Sequence, residues 1–153
     1  MMDTQAVIDQ FNVCLKMEYA AVVQYHQHSY LLRGLDRVQY LEFFEEAGQE
    51  ALGHARLLGS KIVSLGGVPT VERGEVRQST DLVEMLQQDL ELERAALDAY
   101  HVALELAQDH VALRNYLEDQ IMTEQDDVWN LEKILADVQA SAASRDRRRS
   151  AAG

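Results

Sequence analysis

The chain has one cysteine, one proline and one tryptophan in 153 residues, and little basic charge: 14 Lys and Arg stand against 26 Asp and Glu. Each shortage excludes something. A lone Cys14 cannot close an internal disulfide or build a thiolate zinc or iron–sulfur site. It lies beside an apolar helical stripe, where a buried and inert thiol is the common outcome. With Pro69 as the only proline, long stretches are free of helix breakers. A formal net charge of −12 argues against a nucleic-acid surface and suits attraction of cations. No stretch approaches 18 consecutive apolar residues, and no basic segment leads into an apolar run at the N-terminus. Neither a membrane partner nor a leader is expected, and a cytoplasmic location follows by default.

What remains is rich in Ala, Leu, Glu and Gln, a composition that favours helix over strand. Four amphipathic segments follow one another. The first runs from about residue 4 to 33, with Val7, Phe11, Leu15, Glu18, Val22, Tyr25, Ser29 and Leu32 on one stripe. Gly34 and Leu35 make a short turn, and Asp36 with Gln39 reads as a capping box for the second helix. That helix places Tyr40, Phe44, Ala47, Glu50, His54, Leu58 and Ile62 on one face and stops at Leu65-Gly66-Gly67, ahead of Pro69. A polar stretch of about a dozen residues leads to Asp81, the cap of the third helix, with Glu84 as its capping partner. After a break at Asp109 and His110, the fourth helix carries Leu113, Leu117, Ile121, Glu124, Asp127, Leu131 and Leu135.

Short, long and short connections predict an all-α four-helix bundle: two antiparallel helical hairpins joined by a long crossover. The bundle is expected over residues 1–140. Residues 141–153, with Arg145, Arg147, Arg148 and Arg149, are expected to be a disordered basic tail with a minor prospect of docking DNA or a partner.

The most informative feature is a repeat. Glu18-Tyr19-Ala20-Ala21 with Tyr25 recurs as Glu93-Arg94-Ala95-Ala96 with Tyr100, and the copies sit 75 residues apart. Each Glu interrupts an apolar stripe, where a carboxylate is costly unless a positive group pairs with it. The helices together offer Glu18, Glu50 with His54, Glu93, and Glu124 with Asp127. The separations within hairpins are alike, 32 residues from Glu18 to Glu50 and 31 from Glu93 to Glu124. The pairs at i, i+3 and i, i+4 share helix faces. Five carboxylates and one imidazole make a hard, oxygen-rich donor set, suited to iron or manganese rather than structural zinc. Tyr25 and Tyr100 are placed to hydrogen-bond ligands on neighbouring helices. The other histidines, His26, His28, His101 and His110, match no ligand spacing and read as surface or packing residues.

These residues resemble the ferritin-like superfamily, and most closely its bacterioferritin branch. The resemblance rests on Glu18 with Gln24-Tyr25 and His28, on His54-Ala55 leading to Leu65-Gly66-Gly67-Val68-Pro69, on Glu84-Met85-Leu86 with Asp89-Leu90, on Glu93, and on Glu124 with Trp129 and Leu131-Glu132. It covers about residues 5–138. It implies two iron ions per chain held by Glu18, Glu50, His54, Glu93 and Glu124, with Glu50 and Glu124 bridging; manganese is the alternative metal. Three departures stand out. Ala51 occupies the usual place of a glutamate, so that Glu50 precedes His54 by four residues rather than three, a spacing that a one-residue helical bulge would correct. Asp127 stands where a histidine is usual. Leu52 falls at the haem-ligating methionine position, and the apolar fifth helix is missing, so no haem is expected and the homo-oligomer, dimer or shell, is left open.

The implied activity is a ferroxidase-type oxidoreductase that binds Fe(II) and oxidises it with O2 or peroxide, in iron storage, detoxification or oxidative-stress protection. Two alternatives stand beside it: a di-iron oxidase or peroxidase with another substrate, and a non-catalytic bundle used for assembly or binding.

Overall fold

Four helices build the fold in the computed structural model, which describes residues 1–153: α1 (Thr4–Leu31), α2 (Gly34–Ser64), α3 (Leu82–Leu106) and α4 (Val111–Ala151). There is no strand. The expected all-α bundle is present, with α1 paired to α2, α3 to α4, and the hairpins joined along α1 and α3.

Local chemistry explains most helix ends. The Asp3 carboxylate accepts from the Ala6 N–H at 3.1 Å, and the Asp81 carboxylate accepts from the Glu84 N–H at 3.0 Å. His110 Nδ1 accepts from the Leu113 N–H at 3.2 Å and so starts α4. The expected capping box at Asp36 does not form. Leu32 and Arg33 alone connect the hairpin, and α2 begins at Gly34, whose φ of +57° is open to glycine; the cap position falls at Arg33, three residues before Asp36. Asp36 then lies in the first turn, where its charge suits the positive end of the helix. At the other end of α2, Gly66 (φ +87°) closes a Schellman motif: its N–H bonds the Val63 carbonyl and that of Gly67 bonds the Ile62 carbonyl, at 3.0 and 2.9 Å. A side chain at Gly67 would drive into Ile8, with a Cβ only 2.6 Å from its methyl group.

The crossover after Gly67 runs beside α1 in the same direction. Asn12 holds Val68 and Thr70, the Lys16 carbonyl accepts from the Gly74 N–H, and Gln24 accepts from the Arg77 N–H. These bonds satisfy loop backbone that has no ladder of its own, and they carry the chain from one end of the bundle to the other.

The buried stripe of α2 differs from the sequence reading. It passes through Phe44, Gly48, Ala51, Ala55, Leu58 and Ile62, which turns Glu50 to the exposed edge. The helix is uninterrupted, with no bulge to bring Glu50 inward. Gly48 suits this register. The His26 ring of α1 lies where a Cβ at this position would stand, an approach that glycine permits.

The apolar core forms two clusters, one around Phe11, Leu15, Leu58, Ile62 and Leu117, the other around Tyr25, Phe44, Leu86, Val128 and Leu131. Glu18, His54 and Glu124 fall between them along their helices. Beyond Leu135, the last buried residue of α4, the helix continues to Ala151 with almost every residue exposed. The sequence reading expected disorder from Ser141; alanines and arginines, good helix formers, carry the helix on without a packing partner.

Candidate metal centre

Two ligand triads meet in the middle of the bundle and share one residue. Ligand atoms of Glu18, His54 and Glu124 lie within 4.8 Å of one another, and so do those of Glu93, Glu124 and Asp127. Five of the six expected ligands are therefore brought together. The sixth, Glu50, is not. Its carboxylate is 46% exposed and reaches only the outer nitrogen of His54, with Oε1 3.8 Å from Nε2. His54 turns its other nitrogen inward, placing Nδ1 3.2 Å from Glu124 and 3.5 Å from Glu18.

The tyrosines cross between hairpins. Tyr25 of α1 donates to Glu93 of α3 at 2.7 Å, and Tyr100 of α3 donates to Glu18 of α1 at 2.8 Å. Each fixes one oxygen of a glutamate and leaves the other for a ligand. Gln120 adds a bond to Glu124 Oε1 at 3.2 Å, while Glu124 Oε2 is buried with no partner. A buried, unpaired carboxylate oxygen is unusual in a native core and is suited to binding a cation.

The electrostatics agree. Burial, followed by repulsion from Glu124, lifts the Glu93 carboxyl well above the usual range, and burial also raises Glu18 against the pull of His54. Burial takes Glu124 up to about 7. Asp127 also rises to about 7, through burial and then the charge of Glu50. Burial alone would depress His54, but bonds to Glu124 and Glu18 outweigh it and carry the imidazole up to about 11. Four acids and one base crowd together without enough positive charge. An ion of charge +2 would relieve the cluster, and its oxygen and nitrogen donors fit Fe(II) or Mn(II).

The triads differ in access. The Glu18, His54 and Glu124 position is the more enclosed, with only His54 reaching the cavity wall. The other opens on a cavity of about 190 Å³ lined by Tyr25, Phe43, Glu46, Glu50, Ala51 and Asp127, among others. Ala51 leaves space there that a glutamate would fill. Glu46, Asn130 and Gln120 belong to the site yet carried little signal in the sequence; only the one-turn spacing of Gln120 from Glu124 and of Glu46 from Glu50 marked them. Cys14 is fully buried, and burial beside Glu18 pushes its thiol up to about 12.

His28, expected as a surface or packing residue, takes the packing role. It is buried, with Nδ1 3.0 Å from Asp89 and Nε2 3.0 Å from Gln88, and Gln24 donates to the other oxygen of Asp89 at 2.8 Å. No ligand atom is left over in this network, which ties α1 to α3 and, through Gln24 and Arg77, to the crossover.

A bundle of two hairpins with paired carboxylate triads and one imidazole at its centre defines a class of carboxylate metal-binding helical proteins. The sequence profile of the ferritin-like domain matches residues 8–141, and the chain belongs to that family. A bacterial ferritin of Neisseria meningitidis is 34% identical over 139 residues, covering 88% of this chain and 90% of its own. A ferritin-like, diiron-carboxylate protein of Bacillus anthracis superposes with a TM-score of 0.84 at 31% identity, covering 88% of this chain and 99% of its own. The bacterioferritin of Rhodobacter capsulatus, described with a metal-free dinuclear site and haem iron, gives 0.79 at 26% identity over 89% and 87%. No helix of the chain is long and apolar enough to cross a membrane.

Proposed function

We propose that this chain takes Fe(II) as its substrate between the helices and oxidises it with O2 or peroxide, serving iron storage or detoxification. The observation that carries the reading is the pair of triads that share Glu124, whose Oε2 has no partner. Glu18, His54 and Glu124 hold the enclosed position. Glu93, Glu124 and Asp127 hold the open one, and Glu46 and Glu50 at the cavity mouth attract the incoming cation. Each Fe(II) gives one electron to the oxidant, and carboxylates favour the Fe(III) product. Tyr25 and Tyr100 keep Glu93 and Glu18 in place as they bind.

The cavity favours this reading over an organic oxidase. At about 190 Å³ it has room for water, dioxygen or peroxide, and falls below the roughly 300–1,000 Å³ of sites that enclose small organic ligands.

The two positions are unequal in this proposal. The enclosed triad includes an imidazole and binds first. The open triad has only carboxylates, lacks a bridging side chain from Ala51, and exchanges its ion with solvent. Anaerobic Fe(II) titration of the apo protein tests this, followed by admission of air. The expected result is one tight and one weaker iron per chain, with ferric absorbance growing once both are filled. Asp127→Ala should abolish the weaker binding and spare the tighter. Absence of tight iron in the parent chain overturns the ferroxidase reading.

A further inference from the structure

The two triads that meet at Glu124 differ in donor type. Glu18, His54 and Glu124 offer two carboxylates and one imidazole, whereas Glu93, Glu124 and Asp127 offer carboxylate oxygens alone. Of the five histidines only His54 belongs to either triad. Its inward nitrogen is committed to the first one, with Nδ1 3.2 Å from Glu124 and 3.5 Å from Glu18, and its outer nitrogen faces Glu50. His28, the other histidine in the core, has both nitrogens engaged by Asp89 and Gln88. The open triad therefore has no nitrogen donor to call on.

Coordination room differs in the same sense. Glu93 and Asp127 both line the cavity of about 190 Å³, while Glu18 and Glu124 do not. That cavity holds several waters, and Asn130 and Glu46 on its wall can bond them. Three carboxylate oxygens and three waters complete an octahedron of oxygens, the arrangement that Mg(II) and Mn(II) favour. Zn(II) favours four close ligands, commonly with nitrogen or sulfur among them. Donor type and room thus point the same way at the open triad, and both point the other way at the enclosed one.

We propose that Asp127 sets a metal preference that divides the two positions: the open triad selects hydrated, oxygen-seeking cations such as Fe(II) and Mn(II) over Zn(II), while the triad with His54 accepts Zn(II) as well. This inference rests on the reading of the cluster as an iron-binding centre and adds what that centre excludes. Zn(II) cannot be oxidised, and at sites with nitrogen donors it commonly binds more tightly than Mn(II). It can then block one position of this chain and not the pair. Asp127 is the determinant because it serves the open triad alone. Glu124 is shared, and Glu93 is held by the Tyr25 hydroxyl at 2.7 Å. Position 127 is where a nitrogen donor can enter the open triad and leave the other intact.

Metal partition in the full chain tests this. The apo protein is dialysed to equilibrium against Zn(II) and Mn(II) together, each at about 0.1 mM free metal, a level that fills sites of micromolar affinity. Elemental analysis counts both metals per chain, and electron paramagnetic resonance reads the bound Mn(II). The expected result is one Zn(II) and one Mn(II) per chain, with the spectrum of an isolated Mn(II). Asp127→His should convert this to two Zn(II) and cut bound Mn(II) about tenfold, the effect of a 1.4 kcal/mol change in preference. Asp127→Glu keeps an oxygen donor and should preserve the parent partition, which separates donor chemistry from disturbance of the fold. Two Zn(II) per parent chain, or a partition that Asp127→His leaves unchanged, overturns the proposal. Two Zn(II) beside the expected iron stoichiometry would sink this preference alone; failure to hold Zn(II), Mn(II) or Fe(II) would sink the iron-binding reading with it.

Discussion

Two buried polar clusters share this bundle, and they are built on opposite principles. In the first, around His28 and Asp89, every group has a partner: both Asp89 oxygens accept bonds, and both His28 nitrogens face oxygens. In the second, four acids surround a single imidazole and one Glu124 oxygen faces nothing. Similar residue types serve in both, fully buried at His28 and Asp89 and partly exposed at His54 and Asp127. A satisfied cluster fixes helices against one another; an unsatisfied one has donor atoms to offer a ligand. Burial of charge alone separates the two poorly, and completeness of pairing separates them well.

The sharpest way to break the comparison is to remove one member of each. Asp89→Ala strips partners from His28 and Gln24 at once and leaves both buried. Breaking a buried pair from one side typically costs about 3–5 kcal/mol, a large part of the roughly 5–15 kcal/mol that holds a domain folded. The urea midpoint of the apo protein should fall accordingly, while iron stoichiometry measured on the remaining folded protein stays at the parent value. A loss below about 1 kcal/mol would mean the network is decoration.

Glu124→Gln should act in the reverse sense. The amide keeps the shape and can still accept from Gln120, but it removes a charge that Glu18 and Glu93 repel. The apo protein should gain on the order of 1 kcal/mol, the size of one unit of pKa shift. Both iron positions should weaken together, because Glu124 belongs to both triads. Loss of an outer hydrogen bond at a metal site costs about 10–100-fold in affinity, and loss of a shared ligand should exceed that in isothermal titration. Weakening of only one position would show that the triads do not share a ligand.

The two clusters were unequally visible in the sequence. Glu18 and Glu93 announced themselves because each interrupts an apolar stripe within a repeated motif, and the tyrosines of the same repeat led to Tyr25–Glu93 and Tyr100–Glu18. The bundle topology followed from loop lengths. The register of α2 was harder to read. Its inward face is made at Gly48 and Ala51, small residues that carry almost no hydrophobic signal, and Glu50 one position away fits a ligand pattern equally well on paper. The close approach of His26 to Gly48 accompanies this register, and that contact joins two helices. His28 and Asp89 stood among the residues that carry the resemblance, but their pairing with each other and with Gln88 has no signal in one dimension; only the α1–α3 interface, with the crossover over it, brings them together.

The smallest effect is the most diagnostic, since a bound ion reverses the pH dependence of the metal cluster and leaves the other cluster untouched. Glu124 and Asp127 have folded-state values of about 7, against ordinary values of 4.5 and 3.8. Between those limits the folded apo chain holds more protons than the unfolded one, so its stability falls as pH rises, and these groups add no further slope above about 7. His54 runs the same way over a later window: its contribution is complete below 6.5 and is lost as pH climbs towards about 11. Asp127 is only half-buried, so solvent screening trims its share. A bound divalent ion reverses the trend, because it needs the same carboxylates deprotonated. With Mn(II) as a probe that air does not readily oxidise, the gap in Tm between loaded and apo protein should widen from pH 5 to pH 8. Each kcal/mol corresponds to about 2–4 °C in a chain of this size. Asp89→Asn should lower both curves and leave the gap between them intact; a gap that closed in that variant would place Asp89 inside the metal cluster and erase the distinction between satisfied and unsatisfied polar cores.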